Sequence, residues 1–167
     1  MRYSRQILFF SSVVMISFIL FAASGAEFSP AGQDPEKEEL AKRIFFEIRQ
    51  TEEPGEKAKL YRKAADECAG TELAQEALWR LSQLYLSGFD EPDVKEAIGC
   101  LERFIKMYPD SEWRSHAEFS LLGLYEYEKL WGRAAALCEK LMTEDPDMPR
   151  RMKEELQRRL KAAKGKN

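Results

Sequence analysis

Residues 77–85 read ALWRLSQLY and residues 117–125 read AEFSLLGLY, so that Ala77, Leu81, Leu84 and Tyr85 meet Ala117, Leu121, Leu124 and Tyr125 at one constant offset of forty positions. Further along, AIGCLERFIKMYP (97–109) lies over AAALCEKLMTEDP (134–146) at an offset of thirty-seven, which sets Ala97, Phe104 and Pro109 on Ala134, Leu141 and Pro146. Each copy holds two runs whose apolar residues recur at helical spacing. A duplicated helix pair at fixed period predicts an all-α fold: an α-solenoid of about three antiparallel pairs with a C-terminal capping helix. Small Ala97 and Ala134 opposite large Leu and Tyr suit close helix contact.

Working outward, a degenerate first copy precedes these two, because Tyr61, Ala64 and Cys68 fall on Leu101, Phe104 and Tyr108 at the same forty-position offset. Asp34-Pro35-Glu36 starts its first helix, whose inner face is Leu40, Ala41, Ile44, Phe45 and Ile48, and Pro54-Gly55 closes it. A second helix runs from about Glu56 to Cys68 and ends at Gly70. Thr71 and Ser111 are expected as caps, Asp90-Glu91-Pro92 as a restart, and Pro109 and Pro146 as stops. The repeat domain is thus placed at residues 36–147, and a basic capping helix and tail at 148–167 with Met152, Leu156, Leu160 and Ala163 on its inner stripe.

Ahead of the repeats, Arg2 and Arg5 precede an uncharged run from Ile7 to Ala23, then Ser24-Gly25-Ala26. That pattern predicts an export signal over 1–26 with cleavage before Glu27, followed by a linker at 27–35. A retained inner-membrane anchor is the alternative, the run being at the lower edge of a span. In either case the remainder is expected outside the cytoplasm, in a periplasmic location.

Charge is unevenly distributed: residues 27–147 carry 16 basic and 27 acidic residues, whereas residues 148–167 carry eight basic and two acidic. The acidic body argues against nucleic acid as a partner, since a phosphate backbone requires a basic face. The basic C-terminus is expected as a solvated cap, with peripheral contact to anionic lipid or an acidic partner through residues 150–166 as the other reading. Cys68, Cys100 and Cys138 are too few and too irregular for a disulfide framework or a zinc site and are expected as buried apolar residues, one disulfide at most being conceivable.

No reaction is encoded in a recognisable form. The chain has one histidine, His116, four residues after Glu112, and two such ligands without a third make poor metal chemistry. No phosphate-binding glycine loop or nucleophile motif occurs, and neither a cofactor nor an enzymatic activity is expected. Trp79, Phe119 and Tyr127 flank the inward stripes instead of lying on them, so they either bury against a neighbouring copy or face a ligand.

The second copy, Leu78-x2-Leu81-Ser82-x2-Tyr85, Ala97-x3-Leu101 and Pro109, resembles the tetratricopeptide repeat, as does the third, Glu118-x2-Leu121-Leu122-x2-Tyr125, Ala134-x3-Cys138 and Pro146. The glycine of that pattern is Ser82 in one copy and Leu122 in the other. The tail Phe104-Ile105-Lys106-Met107-Tyr108-Pro109-Asp110-Ser111 is most similar to bacterial envelope members, the BamD-like lipoproteins of outer-membrane assembly and the YbgF-like Tol-Pal-associated proteins. The resemblance covers residues 36 to 146 and implies an exported adaptor whose partners are other envelope proteins or peptide segments. It further implies a peptide-binding groove on the first helices, lined by Trp79, Arg80 and Gln83 in the second copy and by His116, Phe119, Ser120 and Tyr127 in the third. The alternative is a structural subunit held in a membrane-associated envelope complex by its basic C-terminal helix or a retained N-terminal anchor.

Overall fold

The computed structural model describes residues 34–166, and all regular structure among them is helical. The export segment assigned to residues 1–26, and the linker up to residue 33, lie outside the described residues. Among the described residues seven helices follow one another: α1 (Pro35–Gln50), α2 (Pro54–Glu67), α3 (Glu72–Ser87), α4 (Val94–Met107), α5 (Arg114–Tyr127), α6 (Trp131–Glu144) and α7 (Arg150–Lys164). None of them is long and apolar enough to cross a membrane. Each packs on the helices before and after it, and α1 also touches α3.

Several helix starts follow from local chemistry. Asp34 accepts from Glu36 N at 3.0 Å, and Thr71 Oγ1 accepts from Ala74 N at 3.1 Å, each satisfying an amide that the first turn leaves open. Pro54-Gly55 does not close α1 as expected but opens α2, because Glu53 caps the amides of Gly55 and Glu56 and proline suits a first turn. The fourth helix starts later than the expected restart at Asp90-Glu91-Pro92, with Asp93 as its cap through Glu96 N at 3.1 Å. Ser111 sits one turn ahead of α5, its hydroxyl accepting from Trp113 N at 3.3 Å, and Trp113 holds the capping position, where its side chain does not cap the first-turn amides. Gly88 ends α3 where an added Cβ would run into Leu84, and Gly70 takes a left-handed φ of 96° before Thr71.

The turns between copies repeat at backbone level. Cys68, Tyr108 and Asp145 each donate their amide to Ala64, Phe104 and Leu141, at 3.1, 2.9 and 3.2 Å. Thr71, Ser111 and Met148 then donate back to Cys68, Tyr108 and Asp145, at 3.1, 3.2 and 3.3 Å. Within the second and third copies the carbonyl of the repeated tyrosine closes the loop: Tyr85 O accepts from Asp93 N at 2.8 Å, and Tyr125 O from Leu130 N at 2.7 Å. The extra length of the second copy is absorbed between these anchor points.

The anticipated apolar faces make the core. Ala77, Leu81 and Tyr85 are buried, as are Ala117, Leu121, Leu124 and Tyr125, while Phe104 and Leu101 are wholly enclosed. Leu84 is only half-buried. On α7, Leu156 and Ala163 are buried and Leu160 half-buried, but Met152, expected inside, is 39% exposed because it lies in the first turn at the margin of that face. Phe46 on α1, at 58% exposed, has Arg49 over its ring at 6.0 Å. Cys68, Cys100 and Cys138 are buried free thiols. Two buried polar residues depart from the repeat: Ser82 returns its hydroxyl to Trp79 O at 2.7 Å, and Glu118 occupies the place of Leu78.

Candidate functional site

The surface features that repeat most closely are built on the second helices of the copies, α2, α4 and α6. Arg62 of α2 donates to the hydroxyl oxygen of Tyr85 at 2.6 Å and pairs with Glu96 of α4 at 3.1 Å. One repeat further on, the Tyr125 hydroxyl donates to Glu102 of α4 at 2.5 Å, and Glu102 pairs with Arg133 of α6 at 3.0 Å. Each tyrosine hydroxyl therefore bonds to one member of an ion pair that joins two successive second helices. Burial raises the proton affinity of both phenols; for Tyr125 the Glu102 carboxylate raises it further, while Arg62 counteracts the effect at Tyr85.

Beside each tie lies a shallow cleft. The first, about 190 Å³, is lined by Leu78 and Leu81 of α3 and by Lys95, Glu96, Gly99, Cys100 and Arg103 of α4. The second, about 300 Å³, is lined by Tyr125 of α5 and by Arg133, Ala136, Leu137 and Lys140 of α6. Burial pushes the Cys100 thiol up to about 11, which leaves it protonated and unreactive near neutrality. Glu118 is held in its buried position by Arg114 at 3.1 Å and Lys140 at 3.2 Å, and both cations also reach Glu144.

None of the seven residues that the resemblance assigns to a groove lines either cleft. On α3, Trp79 is half-buried against the core, and Gln83 is half-buried with its amide 3.5 Å from Ser82 Oγ. Arg80 is engaged by Glu76 at 2.5 Å and by the Tyr61 hydroxyl of α2, so it joins two helices as well as facing outward. On α5, His116 is exposed, Phe119 and Ser120 are half-buried with Phe119 packed on the core, and Tyr127 is 54% exposed. The α3 and α5 sets are carried by helices that both pack on α4, which lies between them in the chain. Among the described residues no three His, Cys, Asp or Glu side chains gather where a metal ion could be held.

Sequence reasoning missed the charged partners of the two tyrosines. The signal was present in the spacing, for Arg62 falls on Glu102 at the first-helix offset and Glu96 falls on Arg133 at the shorter one, but the residue types are exchanged. The chain matches no protein-family model, no curated protein and no solved structure.

Proposed function

We propose that the chain is an exported adaptor of the bacterial envelope, its helix pairs stacked as a tetratricopeptide-type α-solenoid that binds segments of other proteins. The observation that carries this reading is the recurrence of the same turn three times, at Cys68–Thr71, Tyr108–Ser111 and Asp145–Met148, with the same loop closure at Tyr85 and Tyr125. A repeated unit that cannot bury its apolar face alone gains a continuous core by stacking, and its function then lies in the surface it extends. Outer-membrane assembly or Tol-Pal-type maintenance is the setting that the envelope resemblance suggests. On this reading Trp79, Arg80, Gln83, His116, Phe119, Ser120 and Tyr127 form the peptide-facing side, with Tyr127 and His116 the most accessible. An exposed aromatic flanked by polar groups is a fitting anchor for a peptide.

Site-specific photocrosslinkers at His116 and at Tyr127 in intact cells test it. Both positions should capture the same envelope protein, and Lys57 on α2 should not; capture of nothing, or of the same set from all three, overturns the assignment. Mass measurement of the captured chain reports whether it begins at Glu27.

A second reading, a structural subunit held through α7, draws on that helix's outer face, where Arg151 and Lys161 are exposed and have no ion-pair partner among the described residues. Because α7 also covers α6 with Leu156, Leu160 and Ala163, charge reversal at Arg151 and Lys161 is a cleaner test than truncation. Loss of assembly with unchanged helicity supports this alternative.

A further inference from the structure

The first helix carries a face that packing does not account for. Asp34 and Thr71, the capping residues of α1 and α3, are thirty-seven positions apart, and both helices run for 16 residues. On that register Ala41, Ile44 and Ile48 fall on Leu78, Leu81 and Tyr85, and all six are buried. At about 100° of turn per residue, Phe46 stands across α1 from this stripe. It is 58% exposed, the most open of the large hydrophobic side chains among the described residues, and its counterpart in α3 is the polar Gln83.

On a helix the nearest surface neighbours of a residue are those three and four positions away. For Phe46 they are Lys42, Arg43, Arg49 and Gln50, all exposed: three cations and an amide, with no acid among them. Arg49 lies over the ring at 6.0 Å, and Arg43 reaches only the backbone carbonyl of Glu39, at 3.5 Å. In α3, by contrast, Arg80 is held by the carboxylate of Glu76, the counterpart of Glu39. Among the described residues α1 is the one helix that enters no ion pair, whereas each of α2 to α7 enters at least one. Glu47 is turned about 100° aside from Phe46, and Glu39 lies about two turns before it. Cations therefore dominate around the ring, on a body that is otherwise acidic.

We propose that this face of α1 binds an acidic segment of a partner protein, with a large apolar side chain laid on the Phe46 ring and carboxylates on either side of it meeting Lys42, Arg43 and Arg49. Charge complementarity selects the occupant, because cations that the chain leaves unpaired favour an acidic partner and turn away a basic one. The exposed ring at their centre supplies the apolar anchor. A bilayer is the poorer fit: one phenylalanine offers little area to insert, and the acidic body around it repels an anionic surface. The proposal deepens the adaptor reading and rests on it in taking the occupant to be a protein. Lys42, Arg43 and Phe46 fall on Trp79, Arg80 and Gln83, so α1 adds a basic panel with an apolar centre to the first-helix set.

The test uses the full-length protein and the peptide acetyl-Glu-Asp-Leu-Phe-Asp-Glu-amide, followed by NMR through the backbone amides of residues 42–50. Saturable shifts are expected there, and the same peptide with glutamine and asparagine in place of its acids should bind about tenfold more weakly, the scale on which several exposed charge pairs act together. Phe46→Ala removes an exposed ring and leaves the core untouched; it should weaken binding about tenfold with helicity unchanged. Lys42→Glu with Arg49→Glu should abolish the shifts, and if that protein fails to fold, Lys42→Gln with Arg49→Gln serves, with weaker binding expected. Absent shifts over residues 42–50, equal binding of the two peptides, or full binding by a folded Phe46→Ala protein each overturns the proposal. Shifts confined to the neighbourhood of His116 and Tyr127 overturn it too, while leaving the adaptor reading in place. So does Phe46-dependent binding to phosphatidylglycerol vesicles with none to the peptide, which would make the ligand a membrane.

Discussion

Tyr85 and Tyr125, one repeat apart, hold the same place between successive second helices with the charges around them exchanged: Tyr85 accepts from Arg62, whereas Tyr125 donates to Glu102. A phenol can do either, because its oxygen offers a donor and an acceptor. The cation is on α2 and the anion on α4 around Tyr85; the anion is on α4 and the cation on α6 around Tyr125. The shared position therefore specifies an ion pair without specifying its polarity.

That leads to a charge-reversal experiment. Arg62→Glu alone places two carboxylates beside Tyr85 and should cost about 1 kcal/mol, a figure kept small because both partners are about half exposed. Adding Glu96→Arg recreates the arrangement around Tyr125 and should recover most of that loss. Urea denaturation of the single and double variants measures it; a double variant no more stable than the single one would show that polarity matters after all.

Leu81 is 2% exposed at the centre of the repeat. Leu81→Asp puts an unpaired carboxylate into that core, at a cost of several kcal/mol. Cooperative melting by circular dichroism should disappear. Retention of a sharp transition near the natural temperature would contradict the described core.

The last helix is tied down by polar contacts as well as by Leu156. Arg159 donates twice to Glu126, at 2.8 and 2.6 Å, with both side chains less than a third exposed. Removing a two-pronged contact of this kind in Arg159→Ala should cost about 1–2 kcal/mol. The loss should appear first as faster amide hydrogen exchange in residues 150–164, with α3 and α4 little changed.

Alkali should destabilise the fold. Burial raises the Cys100 thiol from its usual 9 to about 11, and raises Cys68 and Cys138 as well. The unfolded chain then releases these protons first as pH climbs. Stability is intact below pH 9 and is lost as pH rises from 9 toward about 11, by on the order of 2 kcal/mol for Cys100. Melting temperatures across that interval should fall, and a Cys100→Ala variant should fall less steeply. Thiol titration at neutral pH should find all three cysteines slow to react until denaturant is added.

Helix count and inner faces were legible because apolar residues recur where buried faces need them, as at Ala77, Leu81 and Tyr85. Helix starts were less so: a proline-glycine pair reads as a break, yet a preceding carboxylate, Glu53, turned Pro54 into an opening residue. Glu118 was legible as a position but not as a buried one, because its burial depends on Arg114 and on Lys140, which comes from the next helix. The groups around Tyr85 and Tyr125 escaped for a related reason. Comparing copies by residue type scores Arg62 against Glu102 as a mismatch, although each serves the same tie. The first-helix residues were located one by one, but a shared surface for them depends on tertiary placement that spacing alone does not supply.

The loop from Gly88 to Asp93 reaches the same carbonyl anchor as its shorter counterpart at Glu128–Leu130, which makes it the natural splice point of the molecule. Doubling the length of a flexible connection adds only about 0.6 kcal/mol of closure entropy. A fluorescent protein or affinity handle inserted between Phe89 and Glu91 should therefore leave both flanking helices in register, giving a reporter that travels with the chain wherever the cell sends it.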